Sequence, residues 1–577
     1  MYRLIPLAVS VALVAAACTP SSGDTTTTVS QPPTTTTVLV ATTTLPPTTT
    51  TTEPPDGFGG EVTIGEGFPI ETLNPFAPNA FGIRMYGNLI WAMVYDVDPD
   101  GWGRIPDVVE AMPSKSEGIT VNDDGTMTVT YKIVDEATWS DGEPITGSDL
   151  AFTAAAMRDL ATAGEGNIPP VMATVIGTEG DGKSASITFS EPTLAFEDAL
   201  WIILPSQVLE GVDLVNGTDG TDWPSGGPFV LDGFDSFNEM RFVRNDHYWK
   251  SVEGRALPYL DAVTIAATTE SGIGGTGPRS PTGAFISHDV DVARIPLAPT
   301  EYGRVESAVA EGAEFQRVPT PVIEHLTFNF SDARLDENPD SANGFIDFRR
   351  AVAASIDRPQ ILDETGVAWL PQTPGMLIPT GESAWSVYEA GITEGSELLD
   401  GAASVLSTTG NSDERPKISG ALEPAFTAAG VSYGVDLQDS QEFFQTTIIE
   451  GTYDVGMWAW VSDGGYSSQL GMLEQFDPRS SPPDGNFGHW GSGGTANEAT
   501  ARYSEIVDEA KTTLDPAAFF DLVREAEGIL ATELPLIPLF SRGSGLAVWP
   551  DSVTGVIHTG SGSDFTWNIE VWQQPGQ

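Results

Sequence analysis

Two stretches of the chain carry the letters of phosphate-binding loops. Gly177-Thr-Glu-Gly-Asp-Gly182-Lys183-Ser184 fits G-x-x-x-x-G-K-S. In that motif, backbone amides and the N-terminus of a following helix cradle phosphates. Here Ser184-Ala-Ser-Ile-Thr-Phe-Ser190 follows, alternating polar and apolar as a strand does. Gly180-Asp181-Gly182 then reads as a hairpin turn, and Glu179 and Asp181 would repel a nucleotide. Gly272-Ile-Gly274-Gly-Thr-Gly277 matches G-x-G-x-x-G, but Pro278 and Pro281 obstruct the helix that a dinucleotide site requires, so it reads as a loop. His247, His288, His325, His489 and His558 are scattered singly and Cys18 is the only cysteine, so no His/Cys metal site is legible. No G-x-S-x-G elbow or paired-carboxylate arrangement stands out. The expectation is a protein that is not an enzyme and needs no cofactor.

The start of the chain says where it works. Met1, Tyr2 and Arg3 precede an apolar run from Leu4 to Ala17. A positive start, an apolar core and small residues before the cut mark an export signal, and the run is shorter than the roughly 20 residues of a membrane-spanning helix. Ala15-Ala16-Ala17-Cys18 resembles the lipobox of bacterial lipoproteins, with Ala15 where Leu is usual. That resemblance implies cleavage before Cys18 and a diacylglycerol on its sulfur; an ordinary cleaved signal with an incidental cysteine is the alternative. From Thr19 to Gly57, runs of Thr alternate with Pro pairs. Such a segment has almost nothing to bury and is expected to be a disordered tether. At about 3.1 Å per residue it reaches at most about 100 Å. Clustered Thr and Pro also suit O-glycosylation, with a bare spacer as the alternative.

About 520 residues remain from Phe58 onward, enough for two or three domains without disulfides. With 81 Asp plus Glu against 26 Lys plus Arg, the formal charge is −55. Phosphate backbones need cationic surface, so nucleic acid is excluded as a partner. Anionic headgroups would repel the chain too, which makes a covalent anchor more necessary. An acidic, Lys-poor surface suits a salty habitat, where screening removes self-repulsion.

From Gly60 the chain runs Gly-Glu-Val-Thr-Ile-Gly, then Glu71-Thr-Leu-Asn-Pro75. Val129-Thr-Tyr-Lys-Ile-Val134 precedes Ala137-Thr-Trp139-Ser-Asp141-Gly142-Glu-Pro144-Ile-Thr146-Gly-Ser-Asp149-Leu. This reads as a strand, an Asp-Gly turn, and a Ser148/Asp149 cap opening a helix through Arg158. The wording resembles the signature of family 5 extracellular solute-binding proteins, the peptide, dipeptide and nickel receptors of ABC importers. Further matches follow in order: Ser190-Glu191-Pro192, Gly226-Gly-Pro228, Arg241-Phe-Val-Arg-Asn245-Asp-His-Tyr248-Trp249, Phe328-Asn329-Phe330, Phe348-Arg349-Arg350 to Asp357-Arg358, and Glu450-Gly451-Thr-Tyr453-Asp454-Val455 before Trp460. As residues, Trp139, Tyr248 and Trp249 read as core or turn anchors. Phe345 to Ile356 reads as a helix with Phe348, Val352 and Ile356 inward and Arg349 and Arg350 on its wet face. Leu534 to Phe540 reads as a buried strand near a sheet edge or bend.

The resemblance implies an α/β, two-lobed periplasmic-binding-protein-like fold (type II, cluster C) with an extra domain on the first lobe. The implied segments are 1–17 signal peptide, 18–57 linker, 58–86, 206–320 and 548–577 lobe 1, 87–205 the extra domain, and 321–547 lobe 2. It also implies a monomer that closes on a solute and hands it to an ABC permease in the cytoplasmic membrane. Peptide receptors of the family hold the ligand's α-amino group with an Asp eight residues after the valine of the Gly-Thr-Tyr-Asp-Val stretch. Counting from Val455, that position is Asp463, in Trp458-Ala-Trp460-Val-Ser-Asp463-Gly-Gly. The alternative is an Asp that only shapes a turn. The Asp-Pro that often follows is replaced by Gly464-Gly465-Tyr466-Ser467, which leaves ligand size and peptide character open. Trp458, Trp460, Phe487 and Trp490 are candidates for the pocket wall, against a plain core role. A peptide or similar small polar solute is the expected guest; a sugar, metal chelate or opine receptor, an envelope hydrolase and a structural surface protein are the alternatives.

Overall fold

The computed structural model describes residues 59–576 except 68–69, 71, 78–82, 99–102, 167, 236–238, 269–279, 297–298, 332–342, 371–374, 378–401, 411–413, 462–464, 493 and 561–564. Cys18, the signal and tether, the Gly272–Gly277 stretch and Asp463 therefore lie outside the described residues.

Ten strands build one sheet: β1 (Glu61–Glu66), β2 (Phe229–Asp235), β3 (Glu239–Arg244), β4 (Ala262–Ala267), β5 (Val292–Ile295), β6 (Glu314–Phe328), β7 (Ala403–Thr409), β8 (Ser432–Gln438), β9 (Val455–Val461) and β10 (Leu536–Val548). Their order across the sheet is β2-β3-β4-β1-β5-β10-β6-β9-β7-β8. The two longest strands, β6 and β10, sit in the middle and serve both halves. Glu314–Pro319 pairs with Val548–Gly543, on the side where β5 adds to β10. Ile323–Thr327 pairs with Ser541–Leu536, on the side where β9 adds to β6. Between them the register breaks after Pro319 and resumes at Ile323, because Pro319 and Pro321 cannot donate to a ladder. Buried apolar side chains likewise gather into two large clusters, one around β1 and the N-terminal third and one around β9 and the C-terminal helices. The fold is thus a two-lobed mixed α/β architecture joined through a pair of strands.

A charged network is buried beside that break. Glu324 on β6 receives Arg415 at 2.9 Å and Arg542, from β10, at 2.8 Å. Arg542 also meets Glu414 at 3.1 Å, and Arg415 donates to Thr409 Oγ1 at 2.6 Å. Burial alone would raise the Glu324 carboxyl, but the two guanidiniums reverse that and hold it at about 2.

Apart from the large sheet, the chain forms a four-stranded antiparallel sheet and the helix Gly147–Ala163. Val175–Asp181 and Ser184–Phe189 form a hairpin, so the phosphate-loop letters spell a turn. The turn itself is Gly182-Lys183 rather than Gly180–Gly182, with Gly182 in the left-handed region at φ 54°. The helix cap also differs from expectation. Thr146 is the N-cap, its side chain accepting from the Asp149 amide while Asp149 accepts from the Thr146 amide. This reciprocal box satisfies two backbone donors that a Ser148 start would leave open. Asp149 reaches further, accepting from the amide and hydroxyl of Ser206.

Two other readings are corrected by tertiary packing. On the helix Ile346–Ser355, Phe348 and Val352 are buried as expected, with Ile356 just beyond its end. Arg349, however, is only 3 % exposed. It donates to the carbonyls of Asn343 and Glu533 and lies over the Phe330 ring, so the buried charge is met by main-chain carbonyls. The Leu534–Phe540 stretch opens β10, a central strand rather than an edge one. Its proline is accommodated at a register shift, Glu324 facing Phe540 and His325 facing Pro538.

Candidate functional site

Strand β9 presents Trp458 and Trp460 on one face, because alternate residues of a strand point the same way. Their rings meet at 6.3 Å. Trp458 is held in place by Tyr453, Phe443 and His325 at centroid distances of 6.1, 6.2 and 4.9 Å. His325 is fully buried, and burial lowers it to about 4, so it stays a neutral ring at physiological pH. Trp460 is half-buried and contacts Phe487 at 5.7 Å.

Phe487 and Trp490 come from a loop shaped by Asn486. This residue adopts φ 43°, and its side-chain amide donates to the carbonyls of Ser480 and Trp490 while accepting from the Trp490 amide at 2.8 Å. Asn tolerates the left-handed region better than most residues and supplies such local bonds. The loop packs Trp490 against Tyr503 at 5.4 Å and returns the Phe487 carbonyl to the Tyr453 hydroxyl at 2.8 Å.

All four aromatic residues line one small cavity, together with Thr327, Gln475, Phe476, Asn486, Gly488, Pro535 and Leu536. Trp458 and Trp490 are each 2 % exposed, so they anchor the core and face the cavity at once. Thr327 and Gln475 were not legible as lining residues, because only the folded sheet brings β6 and the helix Tyr466–Gln475 to the aromatic loop.

A second cluster lies at the start of that helix. Its first turn is met by Asp198, which accepts from the Ser467 amide and pairs with Arg104 at 3.8 Å. Arg104 in turn lies over the Tyr95 ring, and the Tyr95 hydroxyl donates to the Asp198 carbonyl at 3.1 Å. Burial raises the Asp198 carboxyl to about 6 against the lowering effect of Arg104 and the amide. Burial and the neighbouring Asp198 raise Glu197 to about 7. A Cβ on Gly465 would collide with the Arg104 guanidinium and the Asp198 carboxylate. Gly465 therefore permits this contact. Among the described residues there is no group of His, Cys, Asp or Glu arranged to hold a metal ion, and no helix long and apolar enough to cross a membrane.

Comparison with known proteins adds four findings. Residues 106–480 match the model of the bacterial extracellular solute-binding proteins, family 5 Middle. The chain is 22 % identical over 495 residues to the oligopeptide-binding protein OppA of Bacillus subtilis (strain 168), covering 78 % of this chain and 83 % of that one. Among solved structures it is similar to a periplasmic EDTA-binding protein, EppA, with a TM-score of 0.72, 18 % identity, and coverage of 91 % and 98 % of the two chains. It is also similar to the oligopeptide-binding protein AppA of Bacillus subtilis, solved with a nonapeptide, with a TM-score of 0.60, 17 % identity, and coverage of 90 % and 99 %. At these identities the solved structures speak for the fold.

Proposed function

The chain belongs to the bacterial extracellular solute-binding proteins, family 5, and on that premise we propose that it captures a peptide or similar small polar solute between its lobes. It carries that guest unchanged to the permease of an ABC importer. The observation that supports this most directly is the pair β6 and β10, whose register break leaves two half-sheets joined by two strands. Such a junction flexes at a few residues while each half stays rigid, which is what closure around a ligand needs. The names of OppA and AppA make peptides the leading class of guest.

In this reading Asp463 pairs with the guest's ammonium group. It stands three residues after Trp460 in the sequence. A carboxylate in a water-poor cleft gives a charge-assisted bond to an amine. Main-chain groups of the cleft take the peptide backbone, which gives tolerance to side-chain identity. Trp458, Trp460, Phe487 and Trp490 shape the adjoining cavity. Cys18 carries the lipid, and residues 18–57 form the tether from the outer face of the cytoplasmic membrane.

A thermal-shift screen of peptides, sugars and metal chelates tests this, because a ligand that binds the native state must raise apparent stability. A peptide should raise the Tm, and Asp463→Ala should remove most of that rise. A response to chelates or sugars alone would overturn the peptide reading. Intact recovery of the guest separates carriage from hydrolysis. Incorporation of labelled fatty acid that is abolished in Cys18→Ser tests the anchor.

A further inference from the structure

The cavity behind Trp460 has a distinctive hydrogen-bonding inventory. Among its described lining residues none is charged. Four polar side-chain atoms of that lining are shielded from solvent and have no hydrogen-bond partner in the protein: Nε1 of Trp460, Nε1 of Trp490, Oγ1 of Thr327 and Oε1 of Gln475. Thr327 is 6 % exposed and Trp490 2 %. Asn486, the other polar side chain in the wall, is engaged by its own loop. Native proteins leave few buried polar atoms unpaired, since each one forfeits its hydration. Four around one cavity call for a guest group that completes them.

The chemistry of that group follows from the atoms on offer. The two indoles can only donate, and Gln475 Oε1 can only accept. Thr327 Oγ1 has lone pairs free to accept. A primary carboxamide is the complement: one carbonyl oxygen with two lone pairs for the indoles, and two N–H donors for the two oxygens. A carboxylate would set oxygen against Gln475 Oε1, an ammonium would leave both indoles unpaired, and an alkyl group would leave all four. The flat amide also suits a space walled by aromatic rings.

We infer that this cavity is a specificity compartment for an uncharged carboxamide, of the kind asparagine and glutamine carry. The inference rests on the receptor reading above and names the class of solute within it. Thr327 Oγ1, Gln475 Oε1 and the two indole N–H groups are the specificity determinants, and Trp458 and Phe487 are the walls.

The test is calorimetric titration of the whole protein with tripeptides of alanine in which Gln, Glu, Lys or Leu occupies each position in turn. At one position the Gln peptide should bind about tenfold more tightly than its Glu, Lys and Leu counterparts. Thr327→Val, which removes only the hydroxyl, should erase most of that preference. Gln475→Met should do the same, which covers the case of one variant failing to fold. Equal binding of Gln and Leu peptides at every position would overturn the carboxamide assignment and leave the receptor reading intact. Binding by none of the peptides would overturn the receptor reading itself. A crystal of the peptide complex with only water in this cavity would also overturn the assignment.

Discussion

The two carboxylate oxygens of Asp198 lie 3.0 and 3.1 Å from the amide nitrogen of Ser467. Phe196 and Ala199, which flank Asp198, belong to the N-terminal hydrophobic cluster, whereas Met472 and Leu473 of the helix Tyr466–Gln475 belong to the C-terminal one. The bond therefore fastens one half of the molecule to the other, away from the strands that join them. A carboxylate at the first turn of a ten-residue helix is also favoured by the helix dipole.

Loss of this clasp should favour the open form. Asp198→Ala removes the acceptor, and Gly465→Ala drives a methyl into Arg104 and Asp198. Each variant is expected to release bound peptide roughly tenfold faster, the equivalent of one charged hydrogen bond. Small-angle scattering of the unliganded variants should report a larger radius of gyration than wild type. Unchanged dissociation and unchanged dimensions in both variants would refute the role given to the clasp.

The clasp also carries a pH dependence with a definite sign. Burial holds the Asp198 carboxyl at about 6 and Glu197 at about 7, both above their ordinary values. A group whose pKa is raised in the docked state binds its proton more tightly there. Its contribution is greatest below the undocked pKa and falls away as pH rises through the docked one. Arg104 and Tyr466 face the same carboxylates, and burial raises the Tyr466 hydroxyl to about 12, above this range. Between pH 8 and 5 the Tm of wild type should therefore rise relative to Asp198→Asn. A constant difference between the two across that window would count against it.

At the junction of the halves the sign is opposite. Arg415 and Arg542 hold Glu324 at about 2, below its ordinary value. Its stabilising effect is fully present above about 4.5 and is lost as pH falls toward 2. Glu324→Gln leaves two buried guanidiniums without their shared charge. The expected destabilisation is about 3 kcal/mol, the scale of breaking a buried pair from one side. Urea unfolding at pH 7 reads this directly. A loss below about 0.5 kcal/mol would show that the network is dispensable.

Much of this was legible because local chemistry and tertiary need agree. The Asp141-Gly142 turn, the hairpin after Val175 and the inward Phe348 and Val352 all follow from period and turn chemistry. The misses share a cause. Arg349 looks like a solvent-facing residue at helical spacing, yet it donates to the Asn343 carbonyl of the turn before its helix and to the Glu533 carbonyl at the end of the helix Pro516–Glu533. Pro538 looks like an edge residue because its lack of an N–H is visible, whereas the register shift that accommodates it is not. Thr327 and Gln475 carry no motif and acquire meaning only when β6 and the helix Tyr466–Gln475 close on the aromatic loop.

The helix Gly147–Ala163 offers a stability test independent of ligand. Thr146→Ala removes the capping hydroxyl and should cost about 1 kcal/mol. Gly147→Ala places a Cβ against the Ser184 carbonyl oxygen. Backbone cannot yield as a flexible side chain can, so this substitution should cost about 2 kcal/mol or more, of the order of overpacking. Denaturant midpoints would rank the two. Gly147→Ala proving the milder would contradict the close packing of helix on hairpin.

Charge gives the final prediction. With 81 acidic and 26 basic residues, the folded chain carries strong self-repulsion at low ionic strength. Exposed pairs such as Arg502 with Glu509 and Glu525 are weakened by salt as well, but each contributes at most about 1 kcal/mol. Repulsion acts over the whole surface and fades as the screening length drops from about 30 Å at 0.01 M to about 3 Å at 1 M. The balance therefore favours salt, and the Tm should climb between 0.01 and 1 M sodium chloride. The buried Glu324 network is screened far less, so Glu324→Gln should climb in parallel, shifted down by a nearly constant amount. A Tm that falls with salt would mean that the exposed pairs outweigh the net charge.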